Sequence, residues 1–315
     1  MKKVLSFSIL LVVFLLLLPL TVLGQPSTPV NDTVKIEEVK ATKKFKILNT
    51  DTNQVSEISY NDYIFGVVAA EMPALYEVEA LKAQAVAAHT FALHRMVTNS
   101  GKGYDITDDF TVDQAFITEG KAREKWGEKA DEYITKIKGA IEATKNLALT
   151  YNGEIALSVY HAISPGITED VKNVWGGSRP YLVSVDSTGD KLSPNYLSEK
   201  SISANELKKL FTNVTFKGNE RDYFKNTQKT PSGTVKTVSL CGSEIKGSEI
   251  RKALDLNSSC FDITYKDGNF KFTVYGYGHG VGMSQNGANY MAQQGADFEE
   301  ILCHYYTGCK IEEIN

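Results

Sequence analysis

The longest apolar stretch lies at the front of the chain. Lys2 and Lys3 precede residues 4–24, which only Ser6, Ser8, Pro19 and Thr21 interrupt. As a helix rising 1.5 Å per residue, this run is about 30 Å long, enough to cross a hydrocarbon core. The two lysines orient it with the N-terminus in the cytoplasm and the rest of the chain outside. The pattern predicts a single-pass membrane anchor; Val22 and Gly24 are also small enough for removal of the segment as a signal peptide. Either reading exports the chain. Residues 25–42 are polar, contain Pro26 and Pro29, and read as a linker.

Beyond the linker the pattern is first helical and then stranded. Residues 45–58 alternate loosely around Asp51, Thr52 and Asn53, predicting one or two short strands. Asn61 and Asp62 are placed to cap a short apolar helix over 63–71, which Pro73 ends. A second helix is predicted over 78–98, stopping near Gly101, and its Ala80, Ala83, Ala85, Ala87 and Ala88 permit close helix approach. A third covers 133–146. From Leu147 onward strands are predicted at 148–151, 156–161, 181–185, 214–216, 235–240, 261–265 and 270–275. Short helices over 201–210 and 247–254 fall between them, and 285–294 and 298–305 return to helix. The expected class is α+β: an N-terminal membrane helix, a helical core, a strand-rich insertion at about 185–275, and C-terminal helices, with 43–315 forming the working domain.

Composition narrows the function classes. The chain has 315 residues, 42% hydrophobic, 10% aromatic and 23% charged, which excludes a disordered or low-complexity protein. At roughly 150 residues per domain it allows two domains, or one with insertions. With 34 basic against 38 acidic residues there is no basic surplus, so nucleic acid is not the expected partner. Setting Lys2 and Lys3 aside leaves 32 basic against 38 acidic residues, a net charge of −6. In an oxidising compartment Cys241 and Cys260, or Cys303 and Cys309, are candidates for bridges; free thiols are the alternative. Cys303, His304 and Cys309 lack the CxxC pair of a metal site, so no metal is expected.

Three segments carry candidate chemistry. In the first, GVVAAEMP at 66–73, Glu71 closes an apolar helix against a proline break. Apolar surroundings disfavour the charged carboxylate and raise its pKa towards the range of a general acid; a solvated helix-end Glu is the plainer alternative. The second, YGYGHGVGMSQNGA at 275–288, places four glycines before a helix. It lacks the Gly-Lys-Ser/Thr ending of a nucleotide loop, leaving a backbone wall along a saccharide groove or a tight strand-to-helix connection. The third, VYHAISPGITE at 159–169, has His161 ending a strand, and Ser164 there lacks the Gly-x-Ser-x-Gly elbow of a serine hydrolase.

Four stretches taken in order resemble the stage II sporulation protein D family and its relative, the amidase enhancer of bacterial autolysins. They are YIFGVVAAEMPALYEVEALKAQAVAAHTFAL at 63–93, residues 161–176, SGTVKTVSLCGSEIKGSEIRKALDLNSSCF at 232–261, and YGYGHGVGMSQNGANYMAQQGADFEEILCHYYTG at 275–308. The resemblance runs from about residue 45 to the end. It implies a lytic transglycosylase, a glycan-cleaving lyase that degrades cell-wall peptidoglycan, prefers strands stripped of stem peptides, and leaves 1,6-anhydro ends. Glu71 matches the family's catalytic acid. Lys82, Gln84, His89, Gln114, His161, Ser164, His279, Gln285, Tyr305 and Tyr306 match positions expected to line the substrate groove. His89 stands where relatives have Arg, and Thr107 and Asp113 stand where some relatives carry zinc-binding cysteines, so neither zinc nor another cofactor is implied.

The resemblance further implies work at the cell membrane in septal wall remodelling and engulfment during sporulation. The partners implied are the amidase stage II sporulation protein P and the membrane protein stage II sporulation protein M. Two other functions are kept beside it. One is a non-catalytic enhancer of a cell-wall amidase. The other is a hydrolytic muramidase, for which Asp62, Glu77 or Glu79 would supply the second carboxylate.

Overall fold

A computed structural model describes residues 34–36, 39 and 43–314. The expected anchor over 1–24 and most of the linker lie outside these residues. Among the described residues, no helix is long and apolar enough to cross a membrane.

Strands β1 (Lys44–Asn49) and β2 (Gln54–Ser59) form an antiparallel hairpin in which Lys44 faces Ser59. Asn53 takes the left-handed conformation at φ 54° that its turn requires. The chain then enters helix α1 (Tyr60–Glu71). Ser59 is the cap, its side chain accepting from Asp62 N, so the start lies earlier than the Asn61–Asp62 pair suggested. Helix α2 (Val78–Thr98) matches the prediction and is buried from Ala80 to His94 on nearly every side. Its alanines let α1 and its other neighbours approach closely, so α2 is the axis of the domain.

Strand β3 (Ile106–Thr107) pairs parallel to β1. Helix α3 (Glu119–Trp126), not foreseen from its strongly polar sequence, precedes α4 (Ala130–Ala143). Strands β4 (Leu147–Tyr151) and β5 (Glu154–Ile155) turn at Asn152 and Gly153, both at positive φ. The predicted strand at 156–161 shrinks to β6 (Tyr160–His161), followed by the single-turn α5 (Val171–Val174).

The segment predicted to be strand-rich has its own core, drawn from 202–274. It holds β7 (Leu197–Ser203), α6 (Ala204–Leu210), β8 (Phe224–Lys229), β9 (Val235–Leu240), β10 (Ser243–Lys246), α7 (Gly247–Leu254), β11 (Phe261–Lys266) and β12 (Asn269–Tyr275). They make two three-stranded sheets, β11-β12-β7 and β10-β9-β8. The helix expected over 201–210 starts at Ala204, because Ser203 and Glu206 form a reciprocal capping box. No strand forms at 181–185 or 214–216.

The chain then returns to the first core. Strand β13 (Met283–Ser284) pairs parallel to β6, placing Ser284 opposite His161. Helices α8 (Gln285–Gln293) and α9 (Phe298–Tyr305) follow, and β14 (Lys310–Glu313) closes the sheet against β4. The fold is α+β.

Candidate active site

Glu71 is the last residue of α1, and Met72 leaves the helix in an extended conformation. The residue keeps partial solvent access, while its carboxyl is packed deeply enough for desolvation to dominate its titration. Burial pushes its pKa up to about 7, against two opposing hydrogen bonds. Those come from Ala115 N, 2.9 Å from Oε1, and Gln285 Nε2, 3.3 Å from Oε2. Among the described residues, no neighbouring charge contributes to the shift. The position at the negative end of a helix, with no basic residue in its last turn, works in the same direction as burial.

The amides around it converge from three elements. Gln285 Nε2 also lies 3.4 Å from Gln84 Oε1. Gln114 Nε2 donates to the Tyr63 hydroxyl at 3.0 Å and to Ala88 O at 3.3 Å, and its oxygen accepts from the Tyr160 hydroxyl at 2.8 Å. Gln84, Gln114 and Gln285 are thus brought together with Glu71. Tyr160, close enough for the Glu71 charge to act on its hydroxyl and only part-buried, was missed by the sequence reading. Its place next to His161 was the available signal.

The remaining expected groove residues sit elsewhere. Lys82 is paired with Glu79 at 2.7 Å and lies over the Phe298 ring. His89 is buried, with Nδ1 2.9 Å from Leu147 O and its ring edge-on to Tyr60, so a glycan has no path to it. Ser164 is buried as well, its Oγ accepting from Gly166 N at 3.0 Å. Tyr305 and Tyr306 do not offer ring faces to sugars: they are 1% and 0% exposed and bond Ser187 Oγ and Val159 O.

The His161 and His279 rings meet at a tilt of 57° with centroids 5.6 Å apart, and Trp175 lies 4.8 Å from His279. Burial pushes the His161 pKa down to about 4 and that of His279 well below its usual value, so both rings are neutral. His161 Nδ1 lies 3.1 Å from Val281 O, and Val281 N donates to His279 Nδ1 at 3.0 Å. Trp175 and His279 keep partial access and form an aromatic wall; Trp175 falls within the 161–176 stretch of the family resemblance, and its being an aromatic residue there is the signal for it.

The glycine loop packs closely against β6. A Cβ on Gly282 would lie 2.0 Å from Val159 O, and one on Gly278 would lie 2.7 Å from His161 Cβ. Both glycines have positive φ, so the loop lies directly against the chain entering and leaving β6.

Of the suggested second carboxylates, Asp62 bonds Ser59 Oγ at 2.6 Å at the opposite end of α1. Glu79 holds Lys82 and accepts from Phe298 N at 3.1 Å, and Glu77 precedes α2 at its N-cap. Asp113 accepts from Thr107 N and Oγ1 and pairs with Arg95. All four cysteines are free thiols. Among the described residues no group of His, Cys, Asp and Glu is gathered to hold a metal ion.

These features define an α+β protein in which a desolvated carboxyl at the end of α1 accepts from a backbone N–H and a side-chain amide. Residues 48–151 match the family model described as Stage II sporulation protein, SpoIID. The chain is 37% identical over 271 residues to Stage II sporulation protein D of Bacillus amyloliquefaciens, covering 85% of this chain and 78% of that protein. It is 36% identical over 293 residues to Stage II sporulation protein D of Bacillus subtilis (strain 168), covering 92% and 83%. The amidase enhancer of the same strain is 27% identical over 297 residues, with 77% of this chain and 39% of the enhancer covered. The chain belongs to the stage II sporulation protein D family.

Proposed function

We propose that this protein is a lytic transglycosylase that cleaves peptidoglycan glycan strands, preferring strands without stem peptides, during septal wall remodelling and engulfment in sporulation. The observation that carries the reading is Glu71: a carboxyl with its pKa at about 7 and, among the described residues, no second carboxylate acting on its titration. Glycoside hydrolysis uses a pair of carboxyl groups, the second activating water or attacking the sugar. A lytic transglycosylase needs one. Protonated Glu71 gives its proton to the glycosidic oxygen as that oxygen leaves C1 of N-acetylmuramic acid. The C6 oxygen of the same sugar bonds to C1, and its hydroxyl proton passes to the Glu71 carboxylate. No water is consumed, and the acid is restored. The attacking hydroxyl is tethered to its target, so proximity replaces activation.

In this reading the Gln285 amide and Ala115 N–H steady the carboxylate formed midway, and Trp175 and His279 meet the sugar faces. The N-terminal run anchors the domain on the extracytoplasmic side of the membrane, beside stage II sporulation proteins P and M. The likeness to the amidase enhancer favours a second reading, in which the groove binds glycan and stimulates an amidase without cutting.

The purified chain and its Glu71→Gln variant, incubated with denuded glycan strands, separate these readings by mass spectrometry of the ends. Anhydro ends that disappear in the variant are the expected result. Reducing ends would make the protein a hydrolase. No cleavage by either form, with faster digestion when an amidase is added, would make it an enhancer.

A further inference from the structure

Gln285 reaches Glu71 from the first turn of α8, and the group that fixes this turn comes from a distant segment. Asp190 is fully buried in the 3-10 turn Thr188–Leu192. Its Oδ1 accepts from Ser284 Oγ at 2.8 Å and Asn286 Nδ2 at 3.2 Å, the residues on either side of Gln285. Its Oδ2 accepts from Ser164 N and Ser187 Oγ, each at 2.9 Å. Ser284 is also the cap of α8, accepting from Gly287 N at 3.2 Å. Asn286 Oδ1 in turn faces the Tyr76 hydroxyl at 3.4 Å, in the turn that follows Glu71.

A neutral amide in place of Asp190 would offer one acceptor oxygen, whereas a carboxylate offers two, with room for all four donors. Burying an acid here is unfavourable unless that capacity is used, and two of the donors it collects, Ser284 and Asn286, flank the residue that reaches Glu71.

We propose that Asp190 is a positioning residue: by accepting from Ser284 and Asn286 it sets the first turn of α8 so that the Gln285 amide lies on Glu71. The part this plays in catalysis rests on the transglycosylase reading; the geometry does not. Tyr63 and Tyr160 face Glu71, and Tyr76, His161, Tyr196 and Tyr305 face Asp190. Gln285 favours the charged form of Glu71, so its withdrawal raises the pH at which Glu71 titrates.

The test is a carbon-13 NMR titration of the full chain labelled at Glu carboxyls, with the Glu71 signal identified by its loss in Glu71→Gln. Gln285→Ala is expected to move the midpoint up by about one pH unit, the effect of losing a hydrogen bond to a charged group. Asp190→Asn is expected to move it the same way, and the double variant no further than Gln285→Ala alone. An Asp190→Asn protein that melts earlier with its midpoint unmoved, or a double variant whose shifts add, overturns the proposal. If Asp190→Asn does not fold, Ser284→Ala removes one hydroxyl and keeps the acid; an unmoved midpoint there also overturns it. Because the readout is the Glu71 proton, failure of the wild-type protein to cleave glycan would sink the transglycosylase reading and leave this result standing.

Discussion

Gly66 and Phe116 meet across a gap that only a hydrogen atom fills: a Cβ on Gly66 would lie 2.1 Å from Phe116 Cε2 and 2.5 Å from Ile117 O. The Ile117 N–H donates to Gly66 O at 3.1 Å. This close approach lays 115–117 across α1, and so brings Ala115 N to Glu71. Gly66→Ala is expected to lower stability by about 1–3 kcal/mol through overpacking. It should also lift Ala115 away and raise the Glu71 midpoint. Denaturant melts and the NMR titration check the two effects separately; a destabilised variant with an unmoved midpoint would break the link between them.

The displaced pKa of Glu71 makes a claim about stability. Its folded value near 7 lies above the carboxylate's ordinary 4.5, so the native state holds a proton that the unfolded chain has released. Stability linked to this group is therefore fully present below 4.5 and lost as pH rises through 7. The loss amounts to about 3 kcal/mol at most. Glu71→Gln has no charge to bury, so it should be more stable than wild type at pH 8 and lose that advantage by pH 4. Parallel denaturation curves at the two values decide it.

His89 runs the opposite way. Burial holds its pKa at about 4, below its ordinary 6.5, and the Leu147 carbonyl recovers only part of the shift. Its contribution is complete above pH 6.5 and is lost as pH falls towards 4, at up to about 1.4 kcal/mol per pH unit. His89→Gln should be less stable than wild type at pH 8, with the gap narrowing by pH 5. A gap that widens on acidification would show that the ring is protonated in the folded protein.

Glu169 ties the first core to the second, that of residues 202–274. Oε1 accepts from Asp170 N at 2.9 Å and Asn173 Nδ2 at 2.8 Å, while Oε2 accepts from Thr230 Oγ1 at 2.7 Å and from Ser232 Oγ. Glu169→Ala takes the carboxylate from the buried Thr230 and Ser232 hydroxyls and the part-buried donors of Asp170 and Asn173, and should cost about 2–4 kcal/mol. Hydrogen exchange should accelerate first at Thr230, Gly233 and Thr234, where the second core is tied to the first. Uniform acceleration across both cores would mean that Glu169 supports the fold as a whole.

The parts of this fold that were legible in the sequence depend on local pattern. Helix α2 announces itself through its alanines and its stop near Gly101, and α7, α9 and β9 through clear periodicity and punctuation. Strands β8 and β10 and helix α3 did not, because they expose most of their length and carry little apolar signal. The helix-end position of Glu71 and its apolar surroundings were readable from AAEMP; its hydrogen-bond partners were not, since Ala115 and Gln285 lie 44 and 214 residues away. Tyr305, Tyr306 and His89 look like ligand-facing residues in a motif, yet their polar atoms are satisfied by carbonyls and hydroxyls contributed from other segments. Composition does not tell a buried tyrosine from one that stacks on a sugar.

The span between Glu71 and Gln285 also bears on when the protein acquires its chemistry. A nascent chain carries the acid early, with neither Ala115 nor Gln285 yet made. Its carboxyl gains these two hydrogen bonds only once segments 44 and 214 residues further on have been made and packed against it. The last strand, β14, is completed later still. Any chain truncated before residue 285 therefore keeps the carboxyl but lacks the amide that reaches it in the folded protein.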